Sequence, residues 1–148
     1  MQIKIMGYER AIRYKPKVIT LAMRIFDPDG CLNSPTVRLN DSVMYRICGY
    51  TFSDIDPNEF LRNYPDRLLP NNLFNEGIAL QILDDFRRLR DGCSELLVHC
   101  TLGAVRSPAV AIALNDIFEL GNDSEEMRNK HKKYNRYIYS VLMNVASR

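Results

Sequence analysis

The sequence has no long hydrophobic run, and this absence limits the kinds of protein it can encode. Its longest apolar stretch, residues 18–26, is interrupted by Arg24 and is far too short to span a bilayer, so we expect no membrane span. The first six residues, Met-Gln-Ile-Lys-Ile-Met, lack the long apolar core of a signal peptide. The chain also has no internal repeat and no low-complexity linker. We therefore expect a cytoplasmic protein.

The sequence also lacks a large excess of one charge and closely spaced pairs of cysteines. The net charge of +2 gives no argument for a nucleic-acid partner. The four cysteines show no paired metal-ligand spacing, and a predicted strand between Cys93 and Cys100 argues against a zinc knuckle. The length of 148 residues and the hydrophobic content of 46% are those of an ordinary globular protein, which predicts one domain over residues 1–148.

Short apolar runs alternate with helical periodicity along the chain. The predicted strands cover residues 3–6, 18–25, 43–52 and 96–100. Helical segments are predicted over 8–14 (a short helix or turn), 72–90 and 124–146. Residues 27–30, Asp-Pro-Asp-Gly, predict a turn after the second strand. Strands alternating with helices indicate an α/β fold with a mainly parallel central sheet of about four strands, flanked by helices.

Residues 97–108, Leu-Val-His-Cys-Thr-Leu-Gly-Ala-Val-Arg-Ser-Pro, carry the strongest functional signal. An apolar strand ends at Cys100, and Arg106 opens a helical pattern that Gly121 is predicted to stop. Between them, Gly103 allows backbone angles that other residues avoid and permits close approach of a ligand. A dianion in this loop would face backbone N–H groups, a helix N-terminus and a bidentate guanidinium. The arrangement suits attack of the thiol on a phosphate ester.

These residues resemble the His-Cys-x5-Arg-Ser/Thr signature of the cysteine-dependent protein tyrosine phosphatases, and most of all the compact dual-specificity branch and its small prokaryotic relatives. The resemblance is sharp over residues 95–121 and looser over 1–55. It implies a phosphoric monoester hydrolase, a protein-tyrosine or dual-specificity phosphatase that forms a cysteinyl-phosphate intermediate on a phosphorylated protein or small phosphate ester. Such a hydrolase is expected to need neither a metal nor an organic cofactor. The chain departs from the family at Leu102 and Val105, where many members have smaller or polar residues. This departure motivates an alternative, a phosphatase-like module that binds phosphate but turns over poorly.

The resemblance implies a role for each residue around the loop. Cys100 is the expected nucleophile, and Arg106 is expected to hold two phosphate oxygens and stabilise the transferring group. Ser107 is expected to donate to the cysteine sulfur and ease hydrolysis of the phosphoenzyme. Capping of the helix is its simpler role, and the two roles are compatible. His99 is expected to support the loop by hydrogen bonding. The expected phosphate-binding residues are Thr101, Leu102, Gly103, Ala104, Val105 and Arg106.

The mechanism also needs a general acid that protonates the leaving oxygen and later acts as a base toward water. In the family this is an aspartate on a loop after the preceding strand. Asp54 directly follows the third predicted strand and is the preferred candidate, followed by Asp56 and then Asp66. Turn capping is the simpler role for any of these aspartates. Residues 56–75 are interpreted as a surface flap near the site or as an insertion without a role in it.

Two other activities, the remaining cysteines and the segment 133–136 are also candidate functional signals, and none of them outweighs the loop at Cys100. Sulfur transfer and arsenate reduction also use reactive-cysteine loops, but Cys93 has no obvious resolving position, and neither activity outranks hydrolysis. Cys31, Cys48 and Cys93 lack the context of Cys100 and are interpreted as ordinary buried cysteines. Residues 133–136, Lys-Tyr-Asn-Arg, resemble an Asn-Arg element of the small prokaryotic relatives, to which no chemistry is assigned.

Overall fold

A computed structural model describes residues 1–30 and 32–148, so Cys31 lies outside the described residues. The strands in this part of the chain are β1 (Gln2–Gly7), β2 (Thr20–Phe26), β3 (Tyr45–Thr51) and β4 (Glu95–Cys100). The helices are α1 (Tyr8–Ala11), α2 (Pro57–Asn63), α3 (Glu76–Leu89), α4 (Arg106–Phe118), α5 (Ser124–Lys130) and α6 (Arg136–Ala146). All four predicted strands are confirmed, with small differences at their ends.

The strands form one parallel sheet in the order β1-β4-β2-β3. Val98 of β4 lies between Ile5 of β1 and Met23 of β2, so β4 is a central strand. Because all the strands run in the same direction, their carboxyl ends lie along one edge of the sheet, where ligands bind in folds of this class. The predicted α/β architecture is confirmed, and Cys100 lies at that edge.

The hydrophobic core lies on both faces of the sheet. Every residue of β2 and β4 is buried, as expected for central strands covered on both sides. Side chains alternate between the faces. Leu96 and Val98 belong to the larger core, built with α3, α4 and α6, whereas Leu97 belongs to a smaller core with Ala11 of α1. Packing on both faces therefore fixes β4 and, with it, the position of Cys100.

The prediction of one final helix over 124–146 is wrong. The structure has two helices, α5 and α6, separated by residues 131–135. Asn135 has extended backbone angles (φ −74°, ψ 109°), and its side chain caps α6 by accepting a hydrogen bond from the N–H of Ile138 at 3.0 Å. An extended residue that caps the following helix ends any continuous helix through this point. The segment predicted as one helix therefore forms two shorter ones.

Other helix boundaries also differ from the predictions. The helix predicted over 72–90 begins later, because Asn75 caps the first turn of α3. Glu119 follows α4 with a left-handed φ of 50°, so this helix ends before Gly121, the predicted stop. None of the helices in the described part of the chain is long and apolar enough to cross a membrane.

The cysteines outside the motif are less enclosed than the sequence indicates. Cys48 and Cys93 are free thiols that are half-buried rather than buried. The Sγ of Cys93 lies 3.3 Å from the carbonyl oxygen of Leu89. The prediction for Cys31 concerns the residue outside the described part of the chain.

Candidate active site

The carboxyl end of β4 runs through residues 101–105 directly into α4. Cys100 is the last residue of the strand, and its side chain is buried. Its Sγ accepts a hydrogen bond from the backbone N–H of Gly103 at 3.2 Å and lies 3.2 Å from the Oγ of Ser107. An amide and a hydroxyl are donors to a thiolate, so these contacts suit a sulfur anion.

The 100–106 loop requires glycine at position 103. Gly103 has a left-handed φ of 73°, and a Cβ added there would lie 2.6 Å from the backbone N of Gly7 and 2.6 Å from the carbonyl carbon of Met6. The N–H of Tyr8 also donates to the carbonyl of Thr101 at 3.2 Å. The loop thus packs against the end of β1, and this packing depends on the missing side chain.

Arg106 begins α4, and its guanidinium is buried at the edge of the sheet. Its Nη1 donates to the backbone carbonyls of Phe26 at 3.3 Å and Phe52 at 2.9 Å. Its Nη2 donates to Oδ1 of Asp27 at 2.6 Å and to Oγ1 of Thr101 at 3.1 Å. Four acceptors therefore fix the guanidinium. A cation at a helix N-terminus is unfavourable, and the Asp27 carboxylate offsets that cost here.

Asp27 belongs to this site, whereas the sequence predicts only a turn at 27–30. Both of its carboxylate oxygens accept from the Thr101 hydroxyl at 2.6 Å, and Oδ1 also pairs with Arg106. Burial alone would raise the pKa of Asp27, but the Thr101 hydrogen bond and the Arg106 guanidinium together hold it below its ordinary value. The sequence could have indicated a site role for Asp27, because this residue directly follows a buried strand of a parallel sheet, where ligands bind.

A cavity of about 280 Å³ opens over the loop. Its lining combines the expected nucleophile, the arginine and the preferred acid, together with two further aspartates and loop residues: Asp27, Asp29, Asp54, Cys100, Thr101, Leu102, Ala104, Val105 and Arg106. Leu102 is 83% exposed and therefore lies at the rim. Among residues 1–30 and 32–148, no group of three or more His, Cys, Asp or Glu side chains is placed to hold a metal ion.

The three aspartates considered as the general acid occupy different environments. Asp54 is exposed and lines the cavity over the loop. Asp56 caps α2, since its Oδ1 accepts from the N–H groups of Asn58 at 2.9 Å and Glu59 at 3.3 Å. It lines a neighbouring cavity of about 560 Å³. Asp66 follows α2, is exposed, and is absent from the described lining of both cavities. Of the three, Asp54 is the one among the described residues that line the cavity over the loop.

The fold matches a solved structure over almost its whole length. The structure described as Tk-PTP in the active form aligns with a TM-score of 0.55 at 18% identity, over 99% of this chain and 90% of that chain. The chain has the protein tyrosine phosphatase fold. The fold that the sequence resemblance implies is therefore confirmed.

Two further solved structures align with TM-scores of 0.48 each. One is a human tyrosine phosphatase-like serine/threonine/tyrosine-interacting protein, at 16% identity over 98% of this chain and 88% of that chain. The other is PTPMT1, at 13% identity over 99% of this chain and 90% of that chain. No family model matches the sequence, and neither does any curated protein.

His99 directly precedes Cys100 in β4 and is fully buried. The Nε of Arg24 donates to its Nε2 at 2.9 Å, so this ring nitrogen is the acceptor and carries no proton. Burial, helped by the charge of Arg24, lowers the pKa of His99 to about 4. The described side-chain hydrogen bond of His99 therefore joins β4 to β2, and Nδ1 has no partner among the described residues. A neutral imidazole sealed from solvent is unsuited to proton transfer with a substrate.

Ser107 lies inside the first turn of α4, so the alternative that it caps this helix is wrong. The N-cap position is Val105, whose side chain makes no capping hydrogen bond. The Ser107 side chain is fully buried, and its Oγ instead lies beside the sulfur of Cys100.

Asn135 joins the two parts of the phosphatase fold that line the cavity. Its backbone N–H donates to the carbonyl of Val105 at 3.0 Å, and its Nδ2 donates to the backbone carbonyl of Asp54 at 2.8 Å. Its Oδ1 accepts from the N–H of Ile138 and caps α6. The sequence suggests a resemblance at 133–136 but assigns it no chemistry. The only sequence signal for its structural role is an asparagine directly before an apolar helical pattern.

Proposed function

We propose that this chain is a phosphoric monoester hydrolase that acts through a cysteinyl-phosphate intermediate. Its proposed substrates are phosphorylated tyrosine, or serine and threonine, in proteins, or a small phosphate ester. The observation that carries the proposal is one cavity of about 280 Å³ lined by Cys100, Arg106 and Asp54. A nucleophile, a fixed cation and a carboxyl group are the three parts that metal-free phosphate transfer to sulfur needs.

In the first step, phosphate oxygens accept hydrogen bonds from the backbone N–H groups of the 100–106 loop and from the Arg106 guanidinium. The Cys100 thiolate attacks phosphorus, so that the P–S bond forms as the bond to the leaving oxygen breaks. Asp54, protonated at this stage, gives its proton to the leaving oxygen. Arg106 stabilises the charge on the equatorial oxygens, and its planar fork suits this task.

In the second step, water attacks the phosphorus of the phosphocysteine. The Asp54 carboxylate accepts the proton from that water, and the P–S bond breaks. The Ser107 hydroxyl, 3.2 Å from the sulfur, donates to the departing thiolate. Inorganic phosphate leaves, with Asp54 again protonated and Cys100 again a thiolate.

Hydrolysis of p-nitrophenyl phosphate tests the nucleophile. Cys100→Ser is expected to abolish release of phosphate. Cys93→Ser is the matched control, because Cys93 is another free thiol. It is half-buried and is absent from the described lining of the cavity. The Cys93→Ser variant is expected to retain activity. Full activity in Cys100→Ser would overturn the proposal.

The pH dependence of kcat tests the acid. Asp54→Asn is expected to lower kcat by roughly 10²–10⁴-fold and to remove the basic limb of the profile. Asp56→Asn and Asp66→Asn are expected to keep that limb, because the first carboxylate caps α2 and the second is outside the described cavity lining. Loss of the limb in either control would move the assignment to that residue.

A second candidate function is a phosphate-binding module with little turnover. One observation favours it: the Asp27 carboxylate already pairs with Nη2 of Arg106, where a phosphate oxygen would bind. Phosphopeptide binding by the unmodified chain without measurable phosphate release supports this candidate, whereas release that depends on Cys100 supports the hydrolase.

A further inference from the structure

We infer that Asn135 is a positioning residue that holds the Asp54-bearing segment against the 100–106 loop. The inference rests on the proposed function, because it concerns the distance between the acid and the cysteine. It assigns a role to the link between α6 and the cavity, which the mechanism above does not use.

Asn135 is the point at which three structural parts meet. It is buried, with 7% of its surface exposed, although it is polar. Its backbone N–H bonds the carbonyl of Val105, the residue before the arginine, at 3.0 Å. Its side-chain Nδ2 bonds the carbonyl of Asp54 at 2.8 Å, and its Oδ1 bonds the N–H of Ile138 at 3.0 Å. One residue thus connects the loop, the acid segment and α6.

Among the hydrogen bonds of the described residues, few hold the backbone of the Asp54 segment near the cavity. The carbonyl of Phe52 accepts from Arg106 at 2.9 Å, and the N–H of Ser53 donates to the carbonyl of Asn72 at 2.8 Å. The next contact along the chain is that of Asn135 with the carbonyl of Asp54 itself. The Asp54 side chain is exposed, so its backbone is what fixes where the carboxyl group lies. A displacement of about 1 Å in a reacting group can lower a rate roughly 100-fold.

The chemistry of the asparagine side chain separates its two tasks. The oxygen caps α6, and the NH₂ group holds Asp54. Serine caps helices about as well as asparagine, but its shorter side chain carries no second donor to reach Asp54. Aspartate keeps the size and the capping oxygen while losing the donor. Asn135→Ser and Asn135→Asp therefore both remove the contact with Asp54 and leave the cap.

The test compares two substrates that differ in their need for an acid. Phenyl phosphate has a poor leaving group that needs protonation, and p-nitrophenyl phosphate has a better one that needs it less. The ratio of kcat/KM for phenyl phosphate to that for p-nitrophenyl phosphate does not depend on the fraction of protein that is folded. Both Asn135 variants are expected to lower this ratio roughly 10-fold or more.

The matched control is Asn75→Ser. Asn75 caps α3 in the same way, by accepting from the N–H of Ile78 at 2.9 Å, and the described contacts do not link it to Asp54. It is expected to leave the ratio unchanged. In an Asp54→Asn background, Asn135→Ser is expected to lower the ratio no further, because a positioning residue has no effect once the group it positions is gone.

Two results with the Asn135 variants would overturn the inference: an unchanged ratio in both of them, or an equal effect of Asn135→Ser with and without Asp54. A failure of the hydrolase proposal looks different, since the unmodified chain would then release no phosphate, or release would persist in Cys100→Ser. If Asp54→Asn leaves the ratio unchanged while Cys100→Ser abolishes release, the hydrolase stands and the role of Asn135 is wrong.

Discussion

Oδ1 of Asp27 lies 2.6 Å from Nη2 of Arg106, inside the cavity proposed to take the phosphate. The other nitrogen of the fork, Nη1, donates to the carbonyls of Phe26 and Phe52. Nη2 also donates to the hydroxyl oxygen of Thr101. An incoming phosphate must therefore share Nη2 with a carboxylate or displace it. The same contact that orients the guanidinium also opposes a second anion.

Asp27→Asn is expected to strengthen phosphate binding. The amide oxygen of asparagine still accepts hydrogen bonds from Arg106 and Thr101, so the geometry is kept while the opposing charge is removed. Inorganic phosphate is expected to inhibit hydrolysis of p-nitrophenyl phosphate with a Ki roughly 3- to 10-fold lower than in the unmodified chain. Asp66→Asn, an exposed aspartate outside the described cavity lining, is the control. A higher Ki in Asp27→Asn would show that the charge is needed to hold the arginine.

Gly103→Ala is expected to destabilise the protein and to abolish binding of a phosphate analogue in the loop. The left-handed φ of 73° costs a residue with a Cβ about 1–2 kcal/mol, and the contacts of 2.6 Å with the backbone of Met6 and Gly7 add to that cost. Gly121→Ala is a matched control, because Gly121 has a φ of 89° and nothing within 4 Å of an added Cβ. Urea unfolding and orthovanadate binding measure both effects. Equal losses in the two variants would contradict the role of the close packing.

The position of the site could be predicted from sequence because it depends on local patterns. A short apolar run defines β4, and the spacing from Cys100 to Arg106 defines a loop between a strand and a helix. Neither pattern needs knowledge of the rest of the chain. The parallel sheet follows from the alternation of strands and helices, and it places Cys100 at the edge where ligands bind.

The partners of that loop could not be predicted in the same way, because they come from distant segments. Asp27 is 79 residues from Arg106 in sequence, and Asn135 is 81 residues from Asp54. Asp27 lies in a sequence pattern typical of a turn, and Asn135 lies in one typical of a helix cap. Each pattern accounts for its residue without any role in ligand binding. Only the strand order β1-β4-β2-β3, which puts the end of β2 beside that of β4, brings Asp27 to the arginine.

Ser107→Ala is expected to slow breakdown of the phosphocysteine more than its formation. The Oγ lies 3.2 Å from Sγ of Cys100, so the hydroxyl can stabilise the thiolate as it leaves phosphorus. We expect kcat to fall roughly 10-fold or more while kcat/KM changes much less, with a burst of p-nitrophenol before the steady state. Ser34→Ala, whose exposed hydroxyl bonds only Thr36 among the described contacts, is the control. An equal fall in kcat and kcat/KM would assign Ser107 to the first step instead.

The buried His99 is expected to make the stability of the protein depend on pH. Its ordinary pKa of 6.5 applies to the unfolded chain, and burial with the nearby charge of Arg24 lowers it to about 4 in the folded protein. Between these values the unfolded chain binds more protons than the folded one, so the free energy of unfolding falls as pH falls. The full difference amounts to about 3 kcal/mol. Asp27, with a pKa held below 3.8, loses its contribution only at lower pH.

His99→Gln isolates this effect, because the glutamine oxygen can still accept from Arg24 but does not titrate. Urea unfolding of the unmodified chain is expected to show a steeper loss of stability from pH 6.5 to about 4 than unfolding of the variant. His131, whose pKa is lowered by burial and by Lys130, is only half-buried, so His131→Gln is expected to flatten the curve less. Parallel curves for the unmodified chain and His99→Gln would mean that the buried imidazole of His99 is not held neutral.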